Sequence, residues 1–150
     1  MPHFTLSLTQ QGAILIAVVG VSAARASALK DANLPIPKYE KVTAMVDTGA
    51  SSTCIDPSVL LALNLTPTGS VLVKTPSTGL QPVSADQYDV SLIVPSSDTS
   101  HVPLAIATLP VICCNDFLQS QGFHALIGRD VLSHCILIYN GGEMTFTIAY

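Results

Sequence analysis

Asp47 is the residue of this 150-residue chain whose type and position most clearly indicate chemistry. It follows the apolar stretch 42–46, which predicts a strand, and it precedes Thr48, Gly49 and Ala50. A carboxylate at such a strand end can hold a water molecule and accept its proton, as hydrolysis without a metal ion requires. The Thr48 hydroxyl can fix the turn, and Gly49 leaves room for a substrate backbone because it has no Cβ atom.

A second element gives weight to the Asp-Thr-Gly triplet, since three residues alone recur by chance. The apolar run 125–127 ends at Gly128, and Arg129 and Asp130 then precede the apolar residues 131–132. This pattern predicts a buried strand that leads into a short helical turn. Asp130 is the candidate N-cap of that turn rather than a second catalytic acid.

The two elements, in this order, resemble those of the retroviral-type (retropepsin-like) aspartic proteases. The resemblance rests on Met-Val-Asp-Thr-Gly-Ala at 45–50 and on Leu-Ile-Gly-Arg-Asp-Val-Leu at 126–132, with 87–92 as the strand that leaves a flap hairpin. It covers residues 42–140. It implies an all-β fold in a single domain, 1–150, built as a closed β-barrel like one half-lobe of an acid protease. The pattern of elements adds one or two short helices.

The resemblance also implies roles for individual residues. Asp47 is the catalytic residue, and the residues that support it are Thr48, Gly49, Gly128 and Arg129. The residues expected to contact substrate are Gly49, Ala50 and, at the flap tip, Ser77, Thr78 and Gly79. The family arginine uses an acidic residue just after the Asp-Thr-Gly-Ala turn, where this chain has Ser51 and Ser52. Arg129 therefore needs another partner, for which Asp56 or a carbonyl of a partner chain is available.

Counting carboxylates predicts the assembly. The dyad of such an enzyme has two carboxylates about 3 Å apart that share one proton. Asp98-Thr99-Ser100 lacks the glycine of a second turn, and 150 residues make one domain. The second Asp47 must then come from an identical chain, so we expect a homodimeric aspartic endopeptidase that acts on peptides or proteins. The alternative is a catalytically weak or inactive dimerisation or peptide-binding module of the same fold.

Composition limits the other possible functions. The chain is 49% hydrophobic and 11% charged, with a net charge of −4 and no basic cluster, which argues against a nucleic-acid partner. Its four cysteines show no Cys-x-x-Cys spacing and are interpreted as reduced thiols of a cytoplasmic protein. A zinc or redox site remains the alternative, built from Cys113, Cys114, His124, His134 or Cys135. No pair of these residues has ligand spacing on one element, so we predict no metal and no cofactor.

The N-terminal segment predicts a β-hairpin. The apolar run 13–24 is too short for a membrane span, which takes about 20 residues. Residues 1–11 contain no Lys or Arg, which a secretory signal requires, although a secreted or periplasmic location is the alternative. Phe4, Leu6 and Leu8 alternate with polar residues, as in a strand. We therefore predict a hairpin over residues 1–21, with its turn near Gly12.

The remaining elements follow from local patterns. Residues 22–41 are mixed, because 23–32 contain helix formers but Pro35 and Pro37 end any helix. We interpret this segment as an inserted loop. Asp56 is the expected cap of a short helix over 57–63. The arms of the flap hairpin are 71–74 and 86–94, further strands are 102–109 and 111–114, and a terminal hairpin joins 136–139 to 144–148 through an Asn-Gly turn.

Overall fold

The computed structural model describes residues 1–74, 81–96, 102–115 and 120–150. Within these ranges the strands are β1 (His3–Ser7), β2 (Ile14–Val21), β3 (Glu40–Val46), β4 (Cys54–Ile55), β5 (Gly69–Val73), β6 (Val83–Val94), β7 (Leu104–Cys113), β8 (Ala125–Ile127), β9 (Ile136–Asn140) and β10 (Thr145–Ala149). The helices are α1 (Ala23–Asp31), α2 (Pro57–Ala62) and α3 (Arg129–Leu132). The predicted all-β class is confirmed.

Six strands close into a barrel in the order β2-β3-β8-β4-β7-β6, and β2 pairs again with β6 to complete the ring. The β3–β8 and β4–β7 pairs are parallel, whereas the other pairs are antiparallel. β5 lies outside the ring and pairs with β6, so both predicted arms of the flap hairpin lie in paired strands. The predicted bounds are wrong, because the strands begin at Gly69 and Val83 rather than at 71 and 86, and residues 71–73 pair with 83–85. The predicted closed β-barrel is therefore also confirmed.

The barrel closes because its strands carry buried apolar side chains at alternate positions. Leu15, Ala17 and Val19 of β2 are buried, as are Val90 and Leu92 of β6. Neighbouring strands present the same alternation, and the inward side chains form one continuous core. Pairing in a ring also leaves the six strands with no long free edge, which would otherwise invite aggregation.

The predicted N-terminal hairpin over residues 1–21 is wrong in its pairing. Both strands form, and the turn lies where expected, with the Thr9 N–H donating to the Gly12 carbonyl at 2.9 Å. However, β1 pairs with β10 rather than with β2. The reason is that both edges of β2 are already occupied, by β3 and by β6. β1, β10 and β9 instead form a separate three-stranded sheet, which contains the predicted terminal hairpin β9–β10.

Part of the predicted inserted loop is helical, which raises the number of helices in the described ranges to three. Ser22 caps α1 by accepting a hydrogen bond from the Arg25 N–H at 3.3 Å. The helix ends before Pro35, as expected. The cap of α2 agrees with the sequence, since Asp56 accepts from the Ser58 N–H and Pro57 opens the helix. In the described part of the chain, no helix has the length and apolar character needed to cross a membrane.

Phe146→Ala should destabilise the protein by about 3–5 kcal/mol, because Phe146 of β10 is fully buried and its loss leaves a cavity. The matched control is Leu61→Ala in α2, where the side chain is 76% exposed and we expect a change within about 0.5 kcal/mol. Urea denaturation monitored by circular dichroism measures both variants. Similar losses in the two would contradict the assignment of Phe146 to the core.

Candidate active site

Asp47 is positioned by the parallel pairing of β3 with β8. Val46, the last residue of β3, pairs with Ile127, the last residue of β8. The N–H of Asp47 then donates to the carbonyl of Ile127 at 3.0 Å. The barrel therefore fixes the backbone of Asp47 directly, and its carboxylate lies at the mouth of the barrel, partly exposed.

The turn after Asp47 is closed by the aspartate itself. The Gly49 N–H donates to Oδ1 of Asp47 at 2.8 Å, and the Ala50 N–H donates to the Asp47 carbonyl at 3.3 Å. A Cβ atom on residue 49 would lie 3.1 Å from the same Oδ1, so a larger residue would press on the Asp47 carboxylate. Thr48 and Gly49 are exposed and Ala50 is half-buried, so this part of the turn faces solvent.

Arg129 braces the turn from the opposite side. Its Nη1 donates to the Thr48 carbonyl at 3.0 Å and to the Gly49 carbonyl at 3.5 Å, and its backbone N–H donates to the Ala50 carbonyl at 3.0 Å. The arginine thus has carbonyl partners within its own chain. Asp56, which the sequence offered as a substitute partner, caps α2.

Gly128 lies where two backbones almost touch. A Cβ atom at this position would approach the carbonyl carbon of Ser52 to 2.6 Å, its oxygen to 2.7 Å and the nitrogen of Thr53 to 2.9 Å. These are backbone atoms, which cannot rotate away as a side chain can. Only glycine allows β8 to enter α3 directly beneath the segment that follows the Asp47 turn.

The sequence did not single out Thr53, which links the two halves of the site. Its hydroxyl donates to Oδ1 of Asp130 and its N–H donates to Oδ2, both at 2.8 Å. The same hydroxyl accepts the N–H of Gly128 at 3.1 Å, and Thr53 is fully buried. The signal available in the sequence was a hydroxyl residue shortly after Gly49 and a carboxylate shortly after Gly128.

The structure corrects the predicted role of Asp130. The N-cap of α3 is Gly128, and Asp130 lies inside the first turn of the helix. Its carboxylate accepts hydrogen bonds from Thr53 and from the Val131 N–H at 2.9 Å. Asp130 is therefore a positioning residue, and Asp47 is the carboxylate that this site presents to solvent.

The other candidate residues divide into two groups. Ser77, Thr78 and Gly79, the expected flap contacts, lie outside the described residues, as does Asp98-Thr99-Ser100. Among the cysteine and histidine candidates, Nδ1 of His124 accepts the N–H of Thr43 at 3.2 Å. Within the described ranges, no group of three or more His, Cys, Asp or Glu side chains is arranged to hold a metal ion.

Within the described residues, the site presents one carboxylate on a braced turn, with the exposed backbone of Thr48 and Gly49 beside it. General acid–base hydrolysis at this turn needs a second group that is protonated when the first is ionised. A second copy of the same turn would provide such a group.

Known proteins share the sequence pattern and the fold of this chain. The family model described as aspartyl protease matches residues 36–131, which include Asp47, Gly128 and Arg129. A crystal structure of a retropepsin-like aspartic protease from Rickettsia conorii is similar in fold, with a TM-score of 0.58 at 13% sequence identity. That match covers 97% of this chain and 89% of the other. A search of curated proteins finds no match.

Gly128→Ala should destabilise the protein by about 1–3 kcal/mol, because the new methyl group meets the backbone of Ser52 and must push the two segments apart. The control is Gly69→Ala in β5, where a Cβ atom meets nothing within 4 Å and the change should be below about 1 kcal/mol. Thermal unfolding compares the two. A Gly128 variant as stable as the Gly69 variant would disprove the close approach.

Thr53→Val should also destabilise the protein, by about 1–3 kcal/mol, because it keeps the side-chain shape but leaves the buried N–H of Gly128 without its acceptor. Thr5→Val is the control, since its exposed hydroxyl bonds to the exposed hydroxyl of Thr147, at 2.7 Å. We expect a change within about 0.5 kcal/mol for this control in the same urea titration. Equal effects at the two threonines would mean that the buried network adds no stability.

Proposed function

The chain belongs to the aspartyl protease family, and we propose that it is an aspartic endopeptidase of the retroviral type that works as a homodimer. Each subunit supplies one Asp47 to a shared site, the substrates are peptides or proteins, and no cofactor takes part. One observation carries this proposal. The turn that presents Asp47 is bound to the barrel through Ile127 and braced by Arg129, as a fixed catalytic group requires.

The proposed mechanism follows from the shared proton. Two carboxylates about 3 Å apart cannot both be ionised, so they titrate as a coupled pair. The ionised Asp47 accepts a proton from the water molecule between the two carboxylates, and the water oxygen attacks the scissile carbonyl carbon. The protonated Asp47 of the partner subunit donates a hydrogen bond to the carbonyl oxygen as negative charge develops there.

The hydrogen bonds of the turn support this division of labour. The Gly49 N–H holds one carboxylate oxygen of Asp47, which leaves the other oxygen available to the proposed dyad. Thr48 is exposed, so its hydroxyl is free of the core and can bond across the dyad to the partner subunit. Gly49 and Ala50 offer the substrate a backbone surface, and Ser77, Thr78 and Gly79 are the proposed contacts from the flap.

The terminal sheet offers the surface for dimerisation. β9 is an edge strand of this sheet, and Ile136 and Ile138 are 52% and 55% exposed on it, with Tyr139 at 60%. Exposed apolar edges of this kind are an aggregation hazard unless a partner covers them. An obligate interface formed there should bury upwards of about 2,000 Å² in total.

Asp47→Asn should abolish peptide cleavage, because the amide cannot accept a proton from water. The test incubates both proteins with a mixed peptide library at acidic and near-neutral pH and detects products by mass spectrometry. Circular dichroism checks that the variant is folded. Cleavage that persists in Asp47→Asn would exclude the mechanism, and a folded wild-type dimer that cuts nothing would favour the peptide-binding alternative.

Mixing experiments test whether the site is shared between subunits. With wild-type concentration held constant, an equal amount of Asp47→Asn should reduce cleavage to roughly half, because random pairing converts wild-type dimers into one-carboxylate heterodimers. Ile138→Lys on the β9 edge should yield an inactive monomer in analytical ultracentrifugation. The matched control, Leu72→Lys, changes a 74% exposed residue of β5 and should leave association intact. A monomer that still cleaved peptides would contradict the half-site argument.

A further inference from the structure

Two cysteines that are distant in sequence, Cys54 and Cys114, lie on neighbouring strands just beyond the Asp47 turn. Cys54 opens β4, which pairs in parallel with β7 through Cys54–Ile112 and Ile55–Cys113. The N–H of Cys114 donates to the carbonyl of Ile55 at 3.1 Å. The backbone ladder therefore continues one residue past the end of β7 and includes Cys114.

This register places the two thiols on one face of the sheet. Paired residues of a ladder point to the same face, and so do residues two apart on a strand. Cys54 is paired with Ile112, and Cys114 follows Ile112 by two positions. The Cys54 and Cys114 side chains are close enough that each shifts the pKa of the other, and the Cys54 thiol also donates to the Ser52 carbonyl at 3.9 Å. Cys113, one position before Cys114, lies on the opposite face by strand alternation.

The two thiols have different environments. The hydrogen bond from Cys54 lowers the pKa of the Cys114 thiol against the opposing effect of burial, and Cys114 is partly exposed. The same hydrogen bond, together with burial, raises the pKa of Cys54, which is only 9% exposed. Of the two thiols, Cys114 therefore ionises more readily and is the one that solvent reaches, whereas Cys54 lies behind it.

We propose that Cys54 and Cys114 form a redox-active pair that hydrogen peroxide or another hydroperoxide converts into an intramolecular disulfide. The Cys114 thiolate attacks a peroxide oxygen, so that an S–O bond forms, the O–O bond breaks, and the departing hydroxide takes up a proton. The Cys54 sulfur then attacks the Cys114 sulfur and forms the S–S bond. The S–O bond breaks, and the departing hydroxide takes the Cys54 proton and leaves as water. Two thiols are oxidised to one disulfide, and hydrogen peroxide is reduced to water.

Closing the disulfide should disturb the catalytic turn, a consequence that rests on the proposed function. Diagonal neighbours on one face of a sheet lie farther apart than directly paired residues, and a disulfide requires Cα atoms about 5.5–6 Å apart. β4 must then shift along β7. Thr53 immediately precedes Cys54 and holds both Asp130 and Gly128, so the shift reaches the support of Asp47. In a compartment that keeps thiols reduced, the disulfide would form only while peroxide is present and would then be reduced again.

The experiment treats the full-length protein with hydrogen peroxide and maps disulfides by mass spectrometry of non-reduced digests. We expect a Cys54–Cys114 cross-link, loss of two of the four free thiols, and recovery of both with dithiothreitol. Cys113→Ser is the matched control, because it removes the adjacent thiol from the opposite face and should leave the cross-link intact. Cys54→Ser and Cys114→Ser should each prevent it. A cross-link through Cys113 or Cys135, or none at all, would overturn the proposal.

Two further measurements separate this proposal from the peptidase proposal. Hydrogen exchange should show faster exchange of the Gly128 amide in the oxidised protein, whether or not it is an enzyme. Peptide cleavage should fall by at least about tenfold on oxidation and return on reduction. If the reduced protein cuts nothing while the cross-link and the exchange change both appear, the peptidase proposal fails and the thiol pair stands. A mapped cross-link without either change would disprove the link to the catalytic turn.

Discussion

The parallel pairing of β3 with β8 is the constraint on which the site depends. Parallel strands end at the same edge of a sheet. The chain therefore leaves the barrel at the same place after Val46 and after Ile127, which are paired. One exit makes the Asp47 turn and the other makes α3. Had these strands been antiparallel, Arg129 would lie at the far end of the barrel from the carbonyls that it braces. The positions of Asp47 and of the residues that brace its turn therefore follow from strand direction.

Because two segments leave the barrel at one edge, their backbones lie close together, and the residue types there allow this close approach. Gly128 removes the atom that would collide with Ser52, and Thr53 supplies a buried hydroxyl to the Gly128 N–H. Asp130 then accepts both the hydroxyl and the N–H of Thr53. A buried polar network is favourable only when its members are satisfied. Each of these donors has an acceptor, so the network can fix the distance between the two segments.

The sequence predicted what local pattern determines and missed what strand competition determines. The strands at 42–46 and 125–127, the α2 cap at Asp56 and the terminal hairpin follow from alternation and turn chemistry. The partner of β1 does not, because the free edge of β2 disappears only when β6 closes the barrel. Likewise, aspartate is a common N-cap residue, which favoured Asp130, but the N-cap of α3 is Gly128. Thr53 was missed because its partners are distant in sequence.

The replacement of an acidic residue by Ser51-Ser52 changes how the turn responds to acid. An arginine–carboxylate brace weakens as the carboxylate becomes protonated, whereas the carbonyls of Thr48 and Gly49 do not titrate in this range. The proposed dyad needs one protonated carboxylate, and acid supplies that proton. A turn held by carbonyls can therefore keep its shape at the acidic pH at which one carboxylate of the proposed dyad is protonated.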